Sequence, residues 1–323
     1  MKKCLTGFLL LLCIGCVGQQ DSSPTGEHLY PMTVVDDMGR EVTLSVTPLR
    51  IISLAPSTTE ILFALGAGEN VIGNTEYCNF PEGAVNIEKV GGFSDVSIEK
   101  IVSLEPDIIF ASSLHIESVE QLSELGISSV ILDPVTIEDV LNTITLVGKV
   151  IQKEENAEIL IETFTSRIDG VKQQAPSSHL SVYVEGWVSS SGYGSFGPGS
   201  LVDNLLSIAG GSNIAGDTDT PYPALSGEVI ISKNPQIIFM ISSMGGVGIE
   251  DLVNRPGWDA IDAVKFGRIY VVDGDLVLRP GPRLIEGLEI LAGHIRGNSQ
   301  TTFFWSFIQD FLFMNVADRQ SAA

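Results

Sequence analysis

Val96-Ser97-Ile98-Glu99-Lys100-Ile101-Val102-Ser103-Leu104-Glu105-Pro106-Asp107-Ile108-Ile109-Phe110 is the stretch from which the fold is read. Its first half fits a short helix: Ser97 offers an N-cap hydroxyl and Pro106 forbids continuation. Its second half, Ile108-Ile109-Phe110, is the unbroken apolar run of a buried strand. The pattern returns 129 positions later as Leu225-Ser226-Gly227-Glu228-Val229-Ile230-Ile231-Ser232-Lys233-Asn234-Pro235-Gln236-Ile237-Ile238-Phe239, with Ser, Glu, Ile, Ser, Pro, Ile, Ile and Phe in register. A second pair lies 143 positions apart, Ser57-Thr58-Thr59-Glu60 and Ser200-Leu201-Val202-Asp203, both of a form that caps a helix start. Leu62, Gly68, Asn70, Gly73 and Thr75 then recur as Leu205, Gly211, Asn213, Gly216 and Thr218. Two registered blocks in the same order predict two homologous lobes, and a cleft between lobes is a natural ligand site.

Working outward, strands near Arg50–Leu54, Val71–Asn74, Ile108–Ala111 and Val130–Leu132 alternate with helices, the mark of a parallel α/β sheet. Thr33–Leu44 reads as a hairpin with a Gly turn. From Glu154 to Gln174, apolar residues at Ala157, Leu160, Ile161, Phe164, Ile168 and Val171 predict an amphipathic helix of roughly 20 residues, about 30 Å long. It stands between the two copies, as a backbone joining the lobes would. Leu180–Trp187, Ile237–Ile241 and Ile269–Val272 are strands of the second lobe, and Leu284–Ile295 is a helix. The expected fold is α/β: two homologous α/β lobes with parallel sheets, joined by one long helix, with a ligand cleft between them. Along the chain this gives a signal peptide at 1–15, a tether at 16–31, lobes at 32–150 and 175–297 with the linking helix at 151–174, and an aromatic tail at 298–323.

The 323 residues are 44% hydrophobic and 18% charged, as suits a globular chain, with a formal net charge of −22. So acidic a protein offers no basic patch for nucleic acid and no broad electrostatic grip on anionic lipid. Met1-Lys2-Lys3 and the apolar run Leu9–Ile14 form a secretory n-region and h-region, too short to span a bilayer. Cys13-Ile14-Gly15-Cys16 then resembles a lipobox, which would lipidate Cys16; the alternative is an ordinary secretory signal with an incidental cysteine. With the leader removed, Cys78 is the only other cysteine, so no internal disulfide framework arises. The tail residues 303–314 are strongly aromatic, and either pack on the protein or lie in a membrane interface.

Several ordered blocks carry a family resemblance: Ile51-Ile52-Ser53-Leu54-Ala55-Pro56-Ser57-Thr58-Thr59-Glu60-Ile61-Leu62-Phe63-Ala64-Leu65-Gly66, then Glu99 with Pro106-Asp107, then Glu228 with Asn234-Pro235. They are similar to the substrate-binding lipoproteins of ABC importers for cobalamin and iron–siderophore complexes, over roughly residues 32–296. The resemblance implies two α/β lobes joined by a rigid helix, a ligand held in the cleft, and delivery to a two-fold membrane permease with its ATPase subunits. It also implies a monomer anchored by lipid on the outer face of the cytoplasmic membrane, with Glu99 and Glu228 meeting arginines on the two membrane subunits. No catalytic residue and no resident cofactor are implied.

A corrinoid, with its apolar ring face and amide arms, needs aromatic surface and a few polar anchors. Candidates on loops at strand ends are Tyr77, Phe93, Trp187, Tyr222, Asp275, Arg279 and Arg283. The resemblance places Thr220–Ser226 at the family's aromatic-Pro step and Asp275–Arg283 at its cleft segment, although Phe93 and Tyr222 stand where cobalamin binders often carry Trp. The two arginines suit the acidic arms of a ferric siderophore as well as corrin amides, so both ligands stay open. A bare metal-ion site would need clustered His or carboxylates, and His28, His115, His179 and His294 lie on segments that do not converge. His294 reads as a helix-surface residue. An enzyme reading rests on Gly192-Tyr193-Gly194-Ser195-Phe196-Gly197, a dinucleotide fingerprint by spacing alone. Pro198-Gly199 separates it from the helix that its last Gly should open, and a cleft loop explains it better.

Overall fold

The computed structural model describes residues 30–242 and 248–297. The segments 1–29, 243–247 and 298–323 lie outside them, so the leader, Cys16, His28 and the aromatic tail belong to the sequence reading alone.

An antiparallel hairpin, β1 (Met32–Val35) and β2 (Glu41–Leu44), opens the described chain. Its strands alternate buried and exposed residues, as a one-sided hairpin must. The Asp36 carboxylate pins its turn, accepting from the backbone N–H groups of Met38 (3.1 Å), Arg40 (2.9 Å) and Ile131 (3.1 Å). Next come β3 (Ile51–Ser53), β4 (Val71–Asn74), β5 (Ile108–Ala111) and β6 (Ser129–Ile131), all parallel, in the order β4-β3-β5-β6. Their residues are almost wholly buried, which is why these strands read as continuous apolar runs.

The second half continues with β7 (Leu180–Glu185), β8 (Trp187–Ser189), β9 (Gly192–Gly194), β10 (Gly211–Asn213), β11 (Ala224–Leu225), β12 (Ile237–Ile241) and β13 (Ile269–Val272). Four of these make a second parallel sheet in the order β10-β7-β12-β13. In each sheet the first strand lies second from an edge, the second at that edge, and the third and fourth beyond. The sequence repeat is therefore also a repeat of topology. A small antiparallel sheet, β11-β9-β8, is added to the second copy only.

The repeated motif folds as its residues dictate. Ser97 caps helix 98–103 by accepting the Lys100 N–H, and Ser226 caps helix 227–233 by accepting the Val229 N–H, both at 3.3 Å. Ser200 caps helix 201–209 in the same way at 3.2 Å. The expected equivalent, Ser57, is not a cap. Helix 56–64 begins at Pro56, whose fixed φ and missing N–H suit a first turn, so Ser57 lies inside it and the cap position falls to Ala55.

Helix 154–173 lies between the sheets in sequence and buries Ala157, Leu160, Phe164, Ile168 and Val171. It packs on helix 137–150 from the first half and on helices 201–209 and 284–295 from the second. Each large apolar side chain so buried contributes about 1.5–3 kcal/mol, an upper figure for an extended unfolded reference. Arg167 locks the helix to 284–295 through two hydrogen bonds to Glu289, 2.8 and 2.7 Å.

Candidate functional site

Parallel sheets of this winding bind ligands beyond the carboxyl ends of their strands, where the strand order reverses. In the first sheet that point lies between β3 and β5. A cavity of about 860 Å³ opens there. Its floor is built from the residues that leave each strand: Ala55–Ser57 after β3, Tyr77 after β4, Ser112–Leu114 after β5, and Leu132–Val135 after β6. Phe93 and Ser94 add a wall, and Leu278-Arg279-Pro280 from beyond β13 closes the site from the second half of the chain.

Tyr77 and Phe93 are exposed and meet edge to face, with ring centroids 6.4 Å apart. His115 holds the Phe93 loop in place. The Ser112 N–H donates to its Nδ1 at 3.1 Å, which assigns the proton to Nε2, and that N–H donates to the Phe93 carbonyl at 2.7 Å. His115 is buried, and desolvation pushes its pKa below the usual imidazole range despite these hydrogen bonds. Both ring nitrogens of His115 are thus engaged by the protein's own groups behind the Phe93 loop, and no group of three or more potential metal ligands occurs among the described residues.

The segment beyond β13 crosses to the first half through a dense polar cluster. Arg279 Nη2 lies 2.8 Å from Asp275, and Nη1 donates to Asn79 Oδ1 at 2.7 Å and stands 3.7 Å from Glu60. Asn79 returns a hydrogen bond to Asp275 at 3.0 Å. Arg283 forks onto Glu60, Nε at 3.1 Å and Nη2 at 2.6 Å, with its guanidinium 4.3 Å from the Phe80 ring centroid. Burial pushes the Glu60 carboxyl up while Arg283 and Arg279 oppose it; burial also works against the Arg283 charge, but Glu60, Asp275 and Glu286 more than offset it. Gly281 permits the crossing, since a Cβ there would lie 3.1 Å from the Ser57 carbonyl oxygen.

Of the residues singled out from sequence, Tyr77, Phe93 and Arg279 line the cavity and Asp275 orients Arg279. Arg283 is buried and committed to Glu60, so its fork faces a carboxylate of the protein. Trp187 and Tyr222 are not among the cavity's walls. Both stand edge to face against Phe196, at 6.0 and 6.2 Å, and the Trp187 indole covers the backbone of Gly194. Trp187 opens β8 two residues beyond Glu185, which ends β7 and whose carboxylate accepts from Arg255 (Nη2 at 2.8 Å); the Arg255 guanidinium lies 4.2 Å from the Tyr193 ring centroid and 4.5 Å from that of Trp258. Gly192-Tyr193-Gly194 is an antiparallel strand, not a strand-to-helix turn, so the dinucleotide spacing has no phosphate-binding geometry. His294 is half-buried, stacked on Tyr270 at 3.9 Å, and desolvation lowers its pKa. Glu99 and Glu228 are exposed in the first turns of the two repeated helices.

Asp133, Asn79, Glu60 and the hydroxyls of Ser57, Ser112 and Ser113 did not emerge from sequence as site residues. A usable signal was present for three of them: Ser112, Ser113 and Asp133 lie within two residues of the last residue of a parallel strand.

Comparison with known proteins agrees with this geometry. Residues 51–276 match the family model described as periplasmic binding protein. An uncharacterized ABC transporter substrate-binding lipoprotein, YvrC of Bacillus subtilis (strain 168), is 32% identical over 301 residues, covering 90% of this chain and 94% of that protein. The vitamin B12-binding protein of Vibrio cholerae is 27% identical over 253 residues, 76% of this chain and 89% of its own. Its crystal structure superposes with a TM-score of 0.67 at 25% identity, covering 79% and 99% of the two chains. The apo heme-binding protein RhuT from Roseiflexus sp. RS-1 gives 0.70 at 26% identity, covering 78% and 99%. The chain belongs to the periplasmic binding protein family, as a substrate-binding protein of the ABC-transporter class.

Proposed function

We propose that this protein captures a corrinoid outside the cytoplasmic membrane and delivers it to an ABC importer. The observation that carries the ligand reading is the cavity itself: about 860 Å³, with aromatic surface from Tyr77 and Phe93, aliphatic surface from Leu114 and Leu278, and serine hydroxyls at the strand ends. Such a site suits a large ligand with an apolar face and hydrogen-bonding arms. The vitamin B12-binding relatives support the same reading. A ferric siderophore is the second reading, favoured by Arg279 in the wall. The ligand is transported, not retained as a cofactor, and the arrangement gives no reason to assign a reaction.

The partners of this class are a membrane permease and its ATPase subunits. Glu99 and Glu228 hold equivalent, exposed positions on the two repeats, which suits one charge-assisted contact per lobe with a two-fold permease. We infer a monomer, lipidated at Cys16 and held extracytoplasmically; no helix among the described residues is long and apolar enough to cross a membrane.

The test is the absorbance spectrum of protein purified from its host, followed by titration of the stripped protein. Corrinoid bands and micromolar or tighter cyanocobalamin binding are expected. Ferric-chelate bands would move the reading to the siderophore, and a colourless protein that binds neither overturns both.

A further inference from the structure

The walls of the cavity contain one carboxylate and one basic side chain among the described residues, Asp133 and Arg279. Arg279 is already matched: Asp275 lies 2.8 Å from it, Glu60 3.7 Å, and Asn79 takes another of its N–H groups. The neighbouring cation, Arg283, is spent on Glu60, and Glu286 adds further negative charge beside it. No surplus positive charge therefore faces the ligand from the segment beyond β13, and residues 243–247 contain no ionisable side chain.

Asp133 is different. It is half-buried where the chain leaves β6, and among the described residues no cation lies within ion-pair distance of it. Both carboxylate oxygens accept from the Ser113 N–H, at 3.1 and 3.2 Å, which leaves each with acceptor capacity. Its own N–H donates to Asp37 at 2.6 Å, and the Asp37 carboxyl is pushed up by desolvation and by the charges of Asp133, Asp139 and Asp36. Arg40 matches Asp36 at 2.6 Å, so the unpaired negative charge at that edge of the site is that of Asp133 beside Asp37, in a protein of net charge −22.

Resting on the reading of this cavity as the cargo site, we propose that Asp133 sets its specificity by charge, accepting N–H donors from the carboxamide rim of an uncharged cargo and rejecting carboxylate-bearing or polyanionic ones. An amide NH₂ placed against Asp133 gains a charge-assisted hydrogen bond. A carboxylate in the same place meets a like charge with no counter-ion in a partly desolvated wall. The discrimination is thus between two groups of nearly the same shape.

The experiment titrates the full chain, stripped of ligand, with cyanocobalamin and with each of its monocarboxylic acids, in which one peripheral amide has been hydrolysed. At least one acid should bind about tenfold or more weakly than the parent at low salt, and Asp133→Asn should erase most of that difference. Asp133→Ser provides a second variant that removes the charge, should the first fold poorly. Equal affinities across the series in the wild type overturn the proposal, as does a penalty that persists in the folded variants. If cyanocobalamin fails, an uncharged ferric tris-hydroxamate binding where a trianionic ferric tris-catecholate does not upholds the charge rule and replaces the corrinoid. A preference for ferric haem or the catecholate overturns the rule while leaving a cargo site. Binding of none of these probes overturns the cargo reading and the charge rule with it.

Discussion

Arg283 and Glu60, 223 residues apart in the chain, meet through two hydrogen bonds of 3.1 and 2.6 Å in a place where Glu60 is 1% exposed. The contact joins the first helix of one lobe to the segment that leaves the last strand of the other. Removing one partner leaves the other buried charge with only a longer contact, Arg279 at 3.7 Å from Glu60 or Asp275 at 3.9 Å from Arg283, so Glu60→Leu or Arg283→Met should each destabilise by up to about 3–5 kcal/mol, whereas the two together should cost much less than the singles combined. Urea unfolding of the four proteins checks this. Additive losses would mean that the two side chains do not act as a pair.

The aromatic residues divide into two groups. Phe93 and Tyr77 line the cavity, while Trp187 and Tyr222 lean on Phe196. Phe93→Ala and Tyr77→Ala should each weaken cargo binding by about 1–3 kcal/mol with little effect on unfolding. Trp187→Ala should chiefly lower stability, because its indole covers Gly194. Isothermal titration beside thermal melts separates the two, and a binding loss confined to Trp187→Ala would reverse the assignment.

The residues make plain why some of this was legible in the chain. Ile108-Ile109-Phe110 and Ile237-Ile238-Phe239 are buried on both faces, so apolar runs and the punctuation of Ser97, Pro106, Ser226 and Pro235 located strands and helices from local chemistry. Strand order was not local, yet the repeat made one lobe predict the other. Pairings were not legible at all: nothing near Arg283 announces Glu60, and the Arg255–Glu185 pair joins residues 70 apart. Arg283 therefore read as a ligand contact. Ser57 read as a helix cap because it resembles Ser200; the Pro that precedes it in the first copy, where Gly199 precedes Ser200 in the second, moves the helix start by two residues.

Glu99 and Glu228 have a modest local role, since an acid in the first turn of a helix is worth about 0.3–1 kcal/mol. Their side chains are exposed, so charge reversal should leave the fold and the cavity intact. Glu99→Arg with Glu228→Arg is expected to keep ligand affinity and melting temperature while abolishing ligand-stimulated ATPase activity of the reconstituted importer. Full stimulation by the double variant would leave these glutamates as helix-end charges.

His115 gives the last prediction, and its direction follows from which nitrogen carries the proton. With Nδ1 accepting from the Ser112 N–H and Nε2–H donating to the Phe93 carbonyl, the buried ring is best matched while neutral. A proton on Nδ1 would face the Ser112 N–H and leave only the Ser112 hydroxyl, 3.0 Å away, to accept from it, disturbing the turn that seats the ring while Nε2–H still donates to the Phe93 carbonyl. The folded-state pKa is depressed by desolvation, so below the unfolded value near 6.5 the unfolded chain binds a proton that the folded chain does not. Stability from this site is complete above that value and is lost as pH falls from it toward the depressed folded pKa. His115→Gln removes the titration and retains an N–H that can reach the Phe93 carbonyl. The wild type should therefore lose more stability than His115→Gln between pH 7 and pH 5, and its ligand affinity should weaken more over the same range. Parallel pH profiles for the two proteins, in urea unfolding and in binding, would show that His115 does not couple the proton to the Phe93 loop.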